Sequence, residues 1–185
     1  PLVKVIDAET AGRSLAIANT GDAPQTLTLT TVGVPEVAEK AGGKGWAIAR
    51  SYYTLEGEEV DATKVAQGTR LVTVLEIKPL GPQQARLMVN DPLPAGFEID
   101  NPNLIRAGDL AALDWLSVEE NPLTTEFRQD RFLAALDWQS DQPFRLAYVV
   151  RAVSPGTFVH PAASVEDMYR PEMRAHGETG VVTVE

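Results

Sequence analysis

The residues of this chain that could do chemistry are few and badly spaced for catalysis. His160 and His176 are the only histidines, and no serine or carboxylate is spaced with either to suggest a triad. The Gly-x-Ser-x-Gly elbow of many hydrolases is absent. With no cysteine, the chain carries no thiol nucleophile, zinc-thiolate site or disulfide. Glu56, Glu58, Glu59 and Asp61 offer the oxygen ligands a hard cation wants, but their spacing fits no EF-hand loop and reads as a solvated hairpin tip. Trp46, Trp115 and Trp138 could stack on sugars; Trp46 and Trp138 fall in alternating segments, which favours core burial. Glu126, Arg128, Asp130 and Arg131 alternate in sign and read as a surface ion-pair network. His160, between a strand and Pro161, suits a hydrogen-bonding role, and His176 a solvated loop. No catalytic residue, metal ligand or cofactor is expected.

The unusual stretch is Val165-Glu166-Asp167-Met168-Tyr169-Arg170-Pro171-Glu172. Loops normally carry small polar residues, whereas this one presents a Met-Tyr pair between acidic residues and an Arg-Pro stop. Such a pair can plug its own core or latch onto another domain. Ser164 to Asp167 loosely fits a capping box, which predicts a single helical turn presenting Met168 and Tyr169.

The elements that position these residues are strands, because the dominant periodicity is two. Leu71, Thr73, Leu75 and Ile77 share one face of 69–77; Phe132, Ala134, Leu136 and Trp138 one face of 131–138; Phe144, Leu146, Tyr148 and Val150 one face of 144–153. In the last of these, Arg145 and Arg151 leave the other face partly wet. Leu27 and Leu29 alternate with threonines over 25–32, and shorter candidates are 13–18, 46–53, 85–89, 97–99, 157–159 and 181–184. Asn19 to Pro24 predicts a hairpin turn between the first two strands. Pro and Gly in Asp91–Glu98 bend the chain before a short strand. Asp109 could cap a short helix through Leu110, Leu113 and Leu116, inserted between strands. Glu39 to Gly45 reads as a flexible link. The fold class expected is all-β: an antiparallel β-sandwich with a short helical insertion, plus a few N-terminal strands of a second, incomplete β module.

At 185 residues, 44% of them apolar, the chain can bury a real core. Lys and Arg number 16 against 26 Asp and Glu, a net charge of −10, which argues against nucleic acid and anionic membrane surfaces. No apolar run is long enough to span a bilayer. The chain opens at Pro1 without an initiator Met, as an excised piece of a longer protein would.

The order Gly45–Tyr53, then Asp91–Glu98, then Asp130-Arg131-Phe132, then Tyr148–Val153, then Val165–Glu172 resembles the C-terminal end of bacterial alpha-2-macroglobulins. The resemblance covers residues 44–185 as a last macroglobulin-like, receptor-binding-like domain, and residues 1–43 as strands from the end of a CUB-type module. It implies a non-catalytic piece of a broad-spectrum protease trap. In that family a protease cuts a bait region, and the rearranged molecule exposes a thioester that acylates the protease. The loop matching Met168 and Tyr169 shields the thioester on a neighbouring domain, with Glu166, Asp167 and Arg170 orienting it. The implied partners are the thioester domain and other domains of the parent chain, with proteases as the parent's targets. The implied location is the periplasm, the parent anchored to the inner membrane as a lipoprotein. The isolated fragment is expected to be monomeric. A second reading, from the tryptophans, is a periplasmic carbohydrate-binding or adhesive sandwich.

Overall fold

A computed structural model describes residues 3–7, 10, 13–14, 16–33, 37–81, 84–100, 115–117 and 122–185. The chain forms two units, Pro1–Pro35 and Glu36–Glu185.

The larger unit holds three sheets. A six-stranded sheet contains β1 (Gly42–Gly43), β13 (Arg170–His176), β12 (Ser164–Asp167), β6 (Ala85–Pro92), β9 (Arg131–Trp138) and β8 (Thr124–Phe127), in that spatial order. A five-stranded sheet contains β3 (Glu59–Val60), β2 (Trp46–Tyr53), β5 (Arg70–Pro79), β10 (Phe144–Ala152) and β7 (Phe97–Ile99). A small third sheet orders β11 (Gly156–His160), β14 (Gly180–Val184) and β4 (Lys64–Val65). All pairings are antiparallel except β14 with β4.

Period-two patterning explains the core. The inward residues of β2, β5, β6, β9 and β10 form one apolar cluster that also takes in Val182 and Val184 of β14. Trp46, Leu75, Ile77, Leu87 and Val89 have no exposed surface. Phe132 of the six-stranded sheet stacks on Tyr148 of the five-stranded sheet, centroids 4.6 Å apart, so the aromatic contact joins the two layers.

The outer face of the five-stranded sheet is drier than the alternation predicts. Val72, Val74, Ala147 and Val149 are buried there, covered by Tyr53, Leu55, Trp115 and Leu116. Trp115 comes from the segment between β7 and β8 and packs on Tyr53 at 5.0 Å. Gly57 makes room for it: its φ of 94° is left-handed, and a Cβ there would lie 2.7 Å from the indole. Arg145 and Arg151, nearer the strand ends, remain exposed. The helix expected after Asp109 lies outside the described residues.

Four sequence expectations need correction. Ser164–Asp167 is strand β12, not a helical turn; it lies between β13 and β6, and that pairing outweighs a loose capping-box spacing. The Glu39–Gly45 link is partly a strand, since Gly42 and Gly43 pair with His176 and Ala175. A Cβ on Gly43 would fall 2.4 Å from that of Ala175, so only glycine allows this approach. His176 ends β13, half-buried rather than in a solvated loop. In the smaller unit, the described residues of 13–18 and all of 25–32 carry no strand pairing, and Leu27 and Leu29 are exposed. The turn between them does form: Asn19 Oδ1 accepts the Gly21 N–H at 3.1 Å, and Asn19 Nδ2 donates to the Ala23 carbonyl at 2.8 Å. A lone two-stranded hairpin buries neither face, so correct turn chemistry does not make strands.

Candidate functional site

The hairpin between β12 and β13 carries Met168 and Tyr169 at its tip. Asp167 faces Arg170 across a turn of two residues. No non-glycine residue among those described has a positive φ, so the turn is not one of the primed types that match strand twist. The register shifts between Glu166 and Asp167, leaving a bulge in β13 beside the turn.

The tip is tied down by Asp167, whose side chain is 2% exposed. Its Oδ1 accepts the Tyr169 N–H at 3.0 Å, an Asx turn, and its Oδ2 accepts Arg170 Nε at 2.6 Å. Arg170 Nη2 donates onward to the Gln84 carbonyl at 2.7 Å, and the Met168 N–H donates to the Arg86 carbonyl at 2.8 Å. With the backbone so held, the side chains project outward: Met168 is 39% exposed and Tyr169 75%. Glu166 lies on the exposed side of β12, opposite Met88 and Arg174, and makes none of these turn hydrogen bonds. Asp167 and Arg170 thus meet at the tip, and Glu166 stands apart from them.

A second constellation lies inside the sandwich. Arg50 on β2 forms an ion pair with Asp91 on β6, the two side chains 9% and 0% exposed. Asp91 Oδ2 also accepts the Tyr148 hydroxyl at 2.6 Å, and Arg50 Nη2 donates to the Pro161 carbonyl at 2.8 Å. Burial pushes the Asp91 carboxyl up, against the pull of Arg50 and the Tyr148 hydroxyl. Burial also works against the Arg50 charge, but Asp91 and the neighbouring tyrosines outweigh it and raise its pKa. His160 Nε2 shares a 2.8 Å hydrogen bond with the Tyr52 hydroxyl. Burial, and then the Arg50 charge, push the His160 pKa down to about 3, so the ring is neutral. Burial raises both tyrosines. The site holds a fixed, shielded charge pair with no exposed nucleophile, which is the character of a structural clasp. Arg50 and Asp91 both fall in the inward register of otherwise apolar strands, after Trp46 and Ile48 and after Leu87 and Val89. A charge in that register on each of two strands is the signal that could have found the pair.

The other candidates disperse. Trp46 is fully buried, Trp138 packs on Phe144 at 4.3 Å and Trp115 on Tyr53, so no three-indole platform exists. Glu56, Glu58 and Glu59 ring the β2–β3 turn, and among the described residues no acidic or histidine cluster could hold a metal ion. Arg128 pairs with Glu126 and Arg131 with Asp130 on the exposed rim of the β8–β9 hairpin.

Two facing antiparallel sheets around one apolar core, with an apolar pair projecting from one hairpin, make the larger unit a β-sandwich. The profile of the bacterial alpha-2-macroglobulin MG10 domain matches residues 45–172, and the chain belongs to the bacterial alpha-2-macroglobulin family. It is 31% identical over 185 residues to an alpha-2-macroglobulin of Xylella fastidiosa, covering 96% of this chain and 11% of that protein. It superposes on Salmonella alpha-2-macroglobulin reacted with methylamine with a TM-score of 0.72 and 30% identity, over 82% of this chain and 10% of that one. Escherichia coli alpha-2-macroglobulin activated by porcine elastase gives 0.69 and 30% identity, over 83% of this chain and 14% of that one. The chain therefore spans about a tenth of the length of such relatives.

Proposed function

We propose that this chain is the non-catalytic, C-terminal part of a protease-trapping protein, and that its Met168–Tyr169 hairpin is a lid over a thioester on a neighbouring domain of the parent. The observation that carries this reading is an apolar pair held out into solvent by a turn whose backbone is tied at two points, the Met168 and Tyr169 N–H groups, and whose flanking Asp167 and Arg170 side chains are paired. Exposed apolar side chains on so constrained a turn are fitted to meet an apolar partner with little further ordering of the backbone. A thioester is an acyl donor that water slowly destroys, so an apolar cover preserves it. Met168 adapts its shape to the surface it meets, and Tyr169 adds area and a hydroxyl. The relatives support the assignment: one reacts with methylamine, a small amine nucleophile of the kind a thioester acylates, and one is activated by a protease.

In this reading Asp167 and Arg170 orient the lid through the Asx turn and the tie to Gln84, and Glu166 contributes charge on the flank of the hairpin. Proteases are targets of the parent, and the domain's own partners are other domains of the same chain. The parent acts in the periplasm, anchored to the inner membrane as a lipoprotein. The test is Met168→Ala with Tyr169→Ala in the full parent chain, following free thiol release in the absence of protease. Faster spontaneous release is expected; a rate equal to that of the unaltered parent rejects the lid.

A further inference from the structure

Two strands of the larger unit leave part of an edge unpaired along one cleft. On β2 the main-chain groups alternate in direction, and Thr54, just past its end, donates its N–H to the Glu58 carbonyl on the β3 side. Tyr52 and Arg50 therefore point the same way, but β3 pairs only with Tyr52 and Tyr53. On β14 the Thr183 N–H donates to the Thr63 carbonyl on the β4 side, so Val181 points that way too, while β4 pairs only with Thr183 and Val184. Among the described residues, no hydrogen bond reaches the main chain of Arg50 or Val181 on these sides. Both residues line a cleft of about 510 Å³, and so do Tyr52 and His160.

His160 is 8% exposed and holds an unmet donor. The Tyr52 hydroxyl makes its one hydrogen bond with His160 Nε2, and the Thr73 hydroxyl is bonded to nothing, so the buried phenol donates and Nε2 accepts. The neutral ring then carries its proton on Nδ1. Nδ1 has no hydrogen-bond partner among the described residues and keeps solvent contact. A buried N–H of this kind suits a carbonyl oxygen. Around it the cleft is acidic: Glu59, Asp61 and Glu178 line it and are exposed, and its one cation, Arg50, is already met by Asp91.

We propose that the cleft between β2 and β14 receives a short segment from another domain of the parent protein. The segment pairs its main chain with Arg50 and Val181, as in strand addition, and offers a carbonyl to His160 Nδ1. It sets a Lys or Arg side chain against Glu59, Asp61 and Glu178. This goes beyond the lid and does not depend on it. Size favours a domain of the same protein over a free peptide. Few main-chain groups are open here, and each hydrogen bond is of small net worth, so a free peptide is held weakly. A tethered segment arrives at high effective concentration. The chain is about a tenth of the length of its relatives, so most of such a protein lies outside it.

The test is photo-crosslinking in the full parent from Thr179, which lines the cleft and is exposed, replaced by p-benzoylphenylalanine. A crosslink to a Lys- or Arg-bearing segment of the same polypeptide, outside these 185 residues, is expected. A crosslink within the 185 residues, a crosslink to another polypeptide, or none at all overturns the proposal. Amide exchange supplies a second measure. The Arg50 and Val181 amides should exchange roughly tenfold more slowly in the parent than in the 185-residue chain, the scale of one net hydrogen bond. Equal rates in the two settings overturn the proposal whatever the crosslink shows. Glu59→Gln with Glu178→Gln in the parent should then weaken that protection roughly two- to fivefold, the scale of exposed charge pairs. Asp61 is left in place because its Oδ1 accepts the Thr63 N–H at 2.9 Å. Protection that the double variant leaves unchanged overturns the assignment of a basic segment.

Discussion

Asp91 has no exposed surface, and its charge is tolerable only because Arg50 and the Tyr148 hydroxyl meet both of its oxygens. Removing one partner strands the other, so Arg50→Met is expected to cost about 3–5 kcal/mol, read by urea denaturation. Joining it to Asp91→Leu should give a smaller loss than the single change, because no unpaired charge then remains buried. His160 supplies a pH dependence. Its folded pKa of about 3 lies below the ordinary 6.5, so the folded state resists protonation more than the unfolded chain does. Its contribution is complete above about pH 6.5 and is lost progressively as pH falls toward 3. Denaturation midpoints measured across that window should fall with acid, and His160→Gln should flatten the slope by up to about one proton. Little of this was legible locally. Arg50 and Asp91 are 41 residues apart, and the run from Asp91 to Glu98 reads as a bend made by its prolines and glycine. The position of His160 between a strand and Pro161 predicts a hydrogen-bonding residue, but its partner, Tyr52, lies 108 residues away.

Among the elements, the β12–β13 hairpin depends on Asp167 more than on any other side chain. Asp167→Ala removes both the Asx turn and the tie to Arg170, and should cost about 2 kcal/mol, the scale of a hydrogen bond to a charged group. The diagnostic measurement is amide exchange at Tyr169, which should quicken, whereas amides in β9 should not. At the sheet edge, Gly43→Val places side-chain atoms against Ala175 and should abolish the two-residue β1 ladder, seen as lost protection there with the sandwich intact. Strands are the legible part of the fold: 46–53, 97–99 and 131–138 are read to the residue, because each has an apolar stripe that starts directly after a Gly or a charge (Gly45, Gly96, Asp130). Ser164–Asp167 was less legible, because a capping-box spacing and a short alternating strand share the same four residues. What decides between them is a neighbour on each side, and the β6 partners, 74 to 80 residues earlier (Ser164 with Asn90, Asp167 with Leu87), leave no mark in a local window.

The whole chain is two units, and only the larger has a core of its own among the described residues. A protein trimmed to 36–185 should unfold in urea with the same midpoint as the full chain, within error; a midpoint shifted well down would mean that the first unit contributes to the stability of the second. Distribution of pairing within the larger unit has a mechanical consequence. β12 is an inner strand, bonded to β13 on one side and β6 on the other. Swinging the Met168–Tyr169 turn aside as an independent flap would mean unzipping two ladders at once. For the lid proposed above, the turn would then leave the surface it covers only with the entire sandwich carried along, so the force that uncovers it would act on the domain's attachments, far from the two side chains themselves.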